Sequence, residues 1–367
     1  MDRERQDLIW MRQALRWAEK GHCAVSPNPK VGACVVARGE LVGKGFHAFY
    51  GGPHAETVAI RSAGKRAKGA SLYVTLEPCS TWGKTPPCTD AILRAKIREV
   101  IIGSEDPNPL HRGKGVRILR KAGIRVRVGT LRREVERQNE AFFKWVTRRL
   151  PFVTLKMAQS LDGKIATCQG RSRWISGKAS RVFVHQLRLE SDAILVGKNT
   201  FLKDNPRLSP RLSHPLKPVD KPWRIVLDPR GEGRPGSRVF QGEQATFTVV
   251  SERFAKKILR KKDPSGRIWL PVAEKNGQLD LKDLLSQLAP MGVGRLLAEG
   301  GGEVAWSLLR QKLVDRIVWI IAPTVLGGRN AKTSVEGEGI QDLRKAFRCR
   351  EWTVNRLGED LVYEGRF

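Results

Sequence analysis

The chain has 367 residues, with 67 Lys and Arg against 37 Asp and Glu, a formal net charge of +30. That length suits two domains of ordinary size, and a 40% hydrophobic content, with 12 Phe and 10 Trp, can fill their cores. No run of about 18 apolar residues occurs, so no membrane-spanning helix is expected. The first ten residues, MDRERQDLIW, are charged where a secretory signal peptide would be apolar. The six cysteines (Cys23, Cys34, Cys79, Cys88, Cys168 and Cys349) are too sparse for a disulfide scaffold, and a reducing, cytoplasmic home is expected.

The charge is spread evenly. Residues 1 to 150 hold 29 basic and 14 acidic side chains and the remainder 38 and 23, so each part carries +15. A polyanion binder would carry such charge. With no basic arm or tail to concentrate it, specific nucleic-acid recognition is not expected. Anionic small substrates explain the sign of the charge but not its size.

In chain order, Arg5 to Lys20 predicts an amphipathic helix, with Leu8, Met11, Leu15 and Ala18 at helical spacing and Gly21 as its stop. SPNPKVG (Ser26 to Gly32) predicts a loop, followed by strands at 33–37 and 41–46. A helix is expected to open near His54. The apolar strand 71–76 then runs into a Pro-Cys corner, and a second helix opens near Cys88. A strand at 99–103 and one more helix and strand complete an alternating α/β pattern, that of a three-layer domain. RREVERQNEAFFKWVTRRLP reads as one connecting helix ending at Pro151. A fresh series of strands follows: FVTLKMA, AILVG, WRIVLD, TFTVV, RLLAEGG and RIVWIIAP. No internal repeat relates the two parts. The expected organisation is residues 1–149 and 150–367.

Chemistry concentrates at four residues of the first part. His54 and Glu56 lie at a helix start, Cys79 follows the strand, and Cys88 opens the next helix. One imidazole and two thiolates supply three zinc ligands and leave a fourth position for water, the arrangement of a catalytic rather than a structural site. Glu56, two residues after the histidine, is positioned to take a proton from that water and pass it to a departing amine. Cys23, Cys34, Cys168 and Cys349 carry no such pattern and read as small apolar residues.

The order H-x-E, then P-C, resembles the cytidine-deaminase-like zinc deaminases. Its departure is informative. Nucleoside and nucleic-acid deaminases of that fold usually place two residues between the cysteines. Here there are eight, in CSTWGKTPPC. With SPNPKVG upstream and DPNP (Asp106 to Pro109) downstream, residues 5 to 150 resemble the deaminase part of the bifunctional riboflavin-biosynthesis deaminase/reductases.

The second part carries LKMAQSLDGKIA (Leu155 to Ala166), RSRWISG (Arg171 to Gly177), SDAILVGKNTFLKDNPRLSPR (Ser191 to Arg211) and LLAEGGGEVAWSLLRQ at 296 to 311. From the residues alone, a strand emptying into three glycines before a helix at about Glu303 can cradle a phosphate on bare N–H groups. Glycine corners of that kind are also common without a ligand. No G-x-G-x-x-G follows a first strand, so a Rossmann fingerprint is not supported. Arg188 by itself reads as a solvated helix residue and Trp174 as core.

Together these segments resemble the reductase part of the same bifunctional family. The resemblance implies a dihydrofolate-reductase-like α/β domain using NADPH, a cofactor preference that only the family supplies. It further implies cofactor contacts at Ala158, Trp174, Thr200, Asp204, Gly301 and Gly302. Substrate contacts are implied at Ser172, Arg188, Leu208, Arg211 and Glu299. One zinc ion per chain, a phosphoribosyl pyrimidine substrate and a homo-oligomer (dimer or tetramer) complete the expectation. The rival readings are a nucleic-acid deaminase fused to a basic module, and a chain in which one part is inactive.

Overall fold

The computed structural model describes residues 3–22, 24–211, 222–259 and 267–367; Cys23 lies outside the described residues. The chain divides into two compact units, Met1–Arg149 and Leu150–Phe367.

The first unit is a five-stranded sheet in the order β2-β1-β3-β4-β5. Its strands are β1 (Gly32–Ala37), β2 (Glu40–Phe46), β3 (Ser71–Leu76), β4 (Glu99–Ser104) and β5 (Arg125–Val128). β1 runs antiparallel to β2 and β3, while β3, β4 and β5 are parallel. The period-2 alternation of strand side chains sorts the core into two faces. Ala33, Val35, Leu72, Val74, Val100 and Ile102 face one way and pack with Ala55 and Ala59 of α2 (Ala55–Ala63), Ile92 of α3 (Cys88–Arg94) and Leu119 of α4 (Lys114–Lys121). Cys34, Val36, Tyr73 and Ile101 face the other way, onto Met11 and Ala14 of α1 (Arg3–Glu19). Each fully buried aliphatic side chain contributes about 1.5–3 kcal/mol.

The expected single connecting helix is two, α5 (Arg132–Gln138) and α6 (Glu140–Arg148). Asn139 between them leaves the helical conformation at φ −114°. Its buried amide is used elsewhere: Oδ1 accepts from the Lys30 N–H at 2.8 Å and Nδ2 donates to the Lys30 carbonyl at 3.0 Å. An asparagine that bonds a distant backbone in this way competes with the helix ladder.

The second unit is built on a nine-stranded sheet among the described residues, ordered β10-β9-β8-β7-β13-β6-β14-β16-β15. Its central strands are β6 (Phe152–Ser160), β7 (Ala193–Gly197), β8 (Trp223–Leu227) and β9 (Thr246–Ser251), with β13 (Arg295–Ala298) between β7 and β6 and β14 (Arg316–Ala322) beyond β6. All of these pair in parallel. Three strands of this sheet were not expected: parallel β10 (Ile268–Val272), which follows α9 (Glu252–Leu259), and the antiparallel pair β15 (Glu351–Leu357) and β16 (Asp360–Arg366); β11 (Glu274–Lys275) and β12 (Gln278–Leu279) pair apart from it. The last two lack an apolar run, and β15 is exposed at six of its seven positions.

One face of this sheet packs on α10 (Leu281–Leu288) and α11 (Gly302–Arg310), the other on α7 (Lys178–Leu189) and α8 (Lys198–Asp204). Near-continuous apolar strands such as AILVG are what a parallel sheet covered on both faces requires. Both units are α/β, and both leave the C-terminal ends of their parallel strands free to carry loops, where open α/β sheets place ligands. Among the described residues no helix is long and apolar enough to cross a membrane.

Candidate functional site

In the first unit, the loops after β3 and β4 meet the N-termini of α2 and α3 around a cavity of about 340 Å³. His54 is the N-cap of α2 and Glu56 sits in its first turn. Cys88 is the first residue of α3, and two backbone donors of that helix hold the Cys79 corner: Cys88 N–H on Cys79 Sγ at 3.3 Å and Thr89 N–H on the Cys79 carbonyl at 3.2 Å.

The neighbouring Glu77 anchors the same corner. Its carboxylate accepts from the backbone N–H groups of Asp106 (3.2 Å), Gly113 (2.9 Å) and Val116 (3.2 Å). Gly115 is forced by this packing, because a Cβ there would stand 2.2 Å from the Pro78 carbonyl oxygen.

His54 Nδ1 lies 3.3 Å from the sulfurs of both Cys79 and Cys88, and the three ligand atoms fall within 4.8 Å of one another. Tetrahedral zinc with bonds of about 2.0–2.3 Å separates its ligands by roughly 3.3–3.8 Å, so the donor set fits a zinc ion with little movement. The Cys79 thiol is held down at about 4, first by the hydrogen bond from Cys88 and also by His54, and the same contact pushes Cys88 up. Two sulfurs sharing a proton in this way release it when a cation takes its place. Glu56 is 3% exposed and burial pushes its carboxyl up to about 7, with the charge of His54 opposing. All four residues expected at this site are brought together.

Asn28 and His47 line the same cavity and were not singled out beforehand. His47 Nδ1 donates to the Pro53 carbonyl at 3.1 Å, leaving Nε2 to accept from the Asn28 amide at 3.1 Å. The ring is therefore neutral, and burial is the main force lowering its pKa. The one prior signal for Asn28 was its place in the Pro-punctuated SPNPKVG loop.

In the second unit two cavities adjoin at the ends of β6, β7 and β13. The first, of about 400 Å³, lies between the start of α8 and the start of α11. The second, of about 590 Å³, is walled by α7 and the loop 206–211. Ser172, Thr200, Asp204 and Gly301 line both, and Gly302 lines only the first. Arg188, Leu208, Arg211 and Glu299 line the second, together with Ala158 and Trp174, which the family resemblance assigns to the cofactor.

The glycine run has a more mixed explanation than a phosphate cradle. A Cβ at Gly300 would strike Val304 at 2.6 Å, and one at Gly302 would strike the Thr333 carbonyl oxygen at 2.6 Å. Only Gly301 has open space around it, with Thr200 Oγ1 nearest at 3.8 Å.

The readings of Arg188 and Trp174 from the residues alone are reversed. Arg188 is only 14% exposed and forms a two-pronged ion pair with Glu299, Nε to Oε1 at 2.6 Å and Nη2 to Oε2 at 2.8 Å. Trp174 is 68% exposed, with the Arg181 guanidinium 4.8 Å over its ring. Cys168 likewise is exposed rather than core.

Lys156 was missed, although a lysine inside the apolar strand FVTLKMA was its signal. It lines the second cavity, and burial lowers its pKa. Arg173, Arg207, Arg211 and Arg238 add positive charge to the same wall. Burial and the neighbouring arginines push the Arg211 pKa down, a strain that a bound anion would relieve.

Two family models match the chain. The one described as cytidine and deoxycytidylate deaminase zinc-binding region covers residues 4–104, and the RibD C-terminal domain covers residues 151–363. The riboflavin biosynthesis protein RibD of Aquifex aeolicus is 43% identical, over 97% of each chain, and that of Escherichia coli 36% identical, over 97% of this chain and 98% of the other. Among solved structures, RibD of Acinetobacter baumannii aligns with a TM-score of 0.88 at 34% identity, over 99% of both chains. A diaminohydroxyphosphoribosylaminopyrimidine deaminase/5-amino-6-(5-phosphoribosylamino)uracil reductase of Thermotoga maritima aligns at 0.87 and 36% identity, over 100% of this chain and 99% of the other. The chain belongs to the RibD family of riboflavin biosynthesis, bifunctional enzymes that join a zinc-dependent deaminase to an NADPH-dependent reductase.

Proposed function

We propose that residues 1–149 are the pyrimidine deaminase domain and residues 150–367 the reductase domain, acting in that order on one phosphoribosyl pyrimidine. The first substrate is 2,5-diamino-6-(5-phosphoribosylamino)pyrimidin-4(3H)-one. Water replaces its ring amino group with a carbonyl, and ammonia leaves. The observation that carries this reading is the convergence of His54, Cys79 and buried Glu56 on one cavity, with the Cys88 sulfur within 4.8 Å of the other two ligand atoms.

His54, Cys79 and Cys88 would hold zinc, which supplies the acidity that makes water a nucleophile near neutral pH. Glu56 takes the proton from the attacking water on its carboxylate and returns it to the departing nitrogen. The burial of Glu56 favours the protonated form between these transfers.

In the second domain Thr200, Gly301 and Gly302 border the cavity best placed for NADPH, which supplies the hydride; Asp204 borders both cavities, and Ala158 and Trp174 reach the cofactor from the adjoining one. The substrate phosphate is held by arginines, with Arg211 foremost and Ser172 and Leu208 beside it. Glu299 orients Arg188 through their double hydrogen bond. Asp204, whose pKa burial raises against the pull of Arg173 and Lys203, moves a proton as the opened ribose carbon accepts hydride. The product is 5-amino-6-(5-phosphoribitylamino)uracil. The enzyme works in the cytoplasm as a dimer or tetramer.

The test is metal analysis with a two-stage assay on the full chain. About one zinc per chain is expected, with NADPH consumption from the diamino substrate only after ammonia release. NADPH oxidation that precedes ammonia release overturns the order, and turnover of polynucleotide cytidine overturns the substrate.

A further inference from the structure

The assignment of zinc to His54, Cys79 and Cys88 leaves the second nitrogen of His54 to be accounted for. Nδ1 faces both sulfurs at 3.3 Å, so it is the ligating nitrogen and Nε2 must carry the ring proton. Nε2 lies 3.4 Å from Thr85 Oγ1. Thr85 belongs to the eight-residue segment between the two cysteines. Residues 81–84 and 86 are exposed, and Thr85 alone among residues 81–86 turns inward to half burial. A short turn holds it there, with the Gly83 N–H donating to the Thr85 carbonyl at 3.2 Å.

We infer that Thr85 is a positioning residue of the metal centre: its hydroxyl accepts the Nε2–H of His54 and so fixes the ring orientation and the tautomer that leaves Nδ1 free for zinc. This rests on the zinc reading above. Metal-bound histidines regularly donate their other N–H to an oxygen, and losing that acceptor costs about 10–100-fold in metal affinity. A two-residue spacing would carry the chain directly from one thiolate to the other. The longer loop has room to turn at Gly83 and bring a hydroxyl back onto the far side of the imidazole. The distance is long for a hydrogen bond. A metal on Nδ1 draws electron density from the ring and makes Nε2–H the stronger donor, so the contact tightens when the site is filled.

The experiment compares zinc affinity of the full chain, by chelator competition at fixed pH, with the visible spectrum of the cobalt-substituted form. Thr85→Val keeps the shape and removes the hydroxyl, and zinc should bind about 10–100-fold more weakly, with a changed cobalt spectrum. Thr85→Ala, which cannot crowd the loop, should match it. Thr85→Ser should return affinity to within a few-fold of the parent and restore the spectrum. If either hydroxyl-free variant holds zinc within about twofold of the parent, or if serine fails to restore it, the inference is overturned. A parent chain that takes up no zinc sinks the metal assignment and this inference together.

Discussion

Each unit holds a largely buried glutamate at its site, and the two end in opposite states. Burial raises the pKa of both. Glu56, opposed chiefly by the charge of His54, stays up at about 7. Glu299 comes down to about 2 because the Arg188 charge and hydrogen bonds, with Lys156 beyond, outweigh burial. A buried carboxyl without a full ion pair can exchange a proton; one locked to a guanidinium serves as a fixed negative charge. On the proposed reading, the deaminase unit's glutamate is a proton carrier and the reductase unit's is scaffolding for an arginine.

The sharpest way to break this contrast is to remove the metal. Chelation should abolish ammonia release while leaving NADPH oxidation intact when the deaminated substrate is supplied directly. Loss of both activities would show that the two chemistries are not separable. Next in size is Glu56→Ala, which should lower deamination by at least about 100–10,000-fold with unchanged reduction, measured with separate substrates. A variant that still deaminates would falsify the proton-carrier role.

Glu299→Gln tests the scaffold. It strands the Arg188 charge, whose side chain is only 14% exposed, and should cost the second unit about 3–5 kcal/mol, read as a lowered calorimetric transition. A variant as stable as the parent removes the scaffold reading. Protonation gives a milder version of the same loss. The folded pKa of Glu299 lies below its ordinary 4.5. Its contribution is therefore fully present above about pH 4.5 and fades as pH falls toward 2. The slope of stability with pH across that window should shrink in Glu299→Gln. Smallest is Trp174→Ala. An exposed ring with a cation over it contributes about 0.5–1 kcal/mol, so stability should barely move. KM for substrate or NADPH should rise, and an unchanged KM for both would remove Trp174 from the site.

The two units also differ in how far the sequence discloses them. The zinc constellation stands out because its chemistry demands rare residue types, each at the start or end of an element. His54, Cys79 and Cys88 lie within 35 positions of one another, and both histidine and second cysteine announce a helix start. The proposed reductase site is carried by common residues whose meaning depends on distant partners. Arg188 becomes part of a largely buried ion pair only because Glu299, 111 positions later, arrives beside it. Nothing near Arg188 distinguishes it from a solvated arginine, so only family resemblance could single it out. The fold follows the same division. Apolar strands such as AILVG are legible from composition, whereas β15 takes its place by pairing with β16 rather than by burial. Asn139 is the local exception, a charged helical run interrupted by one amide with a partner 109 positions upstream.

That amide also decides where the molecule can be divided. Asn139 clasps the backbone at Lys30, two residues beyond Asn28 in the cavity wall, and Phe142 of the following helix lines the same cavity. A deaminase fragment that stopped at the end of α5 would retain every zinc ligand and Glu56 yet lose a latch and part of a wall. The helices that read as a tether between two enzymes are structural parts of the first, so a separable deaminase has to be cut after residue 148.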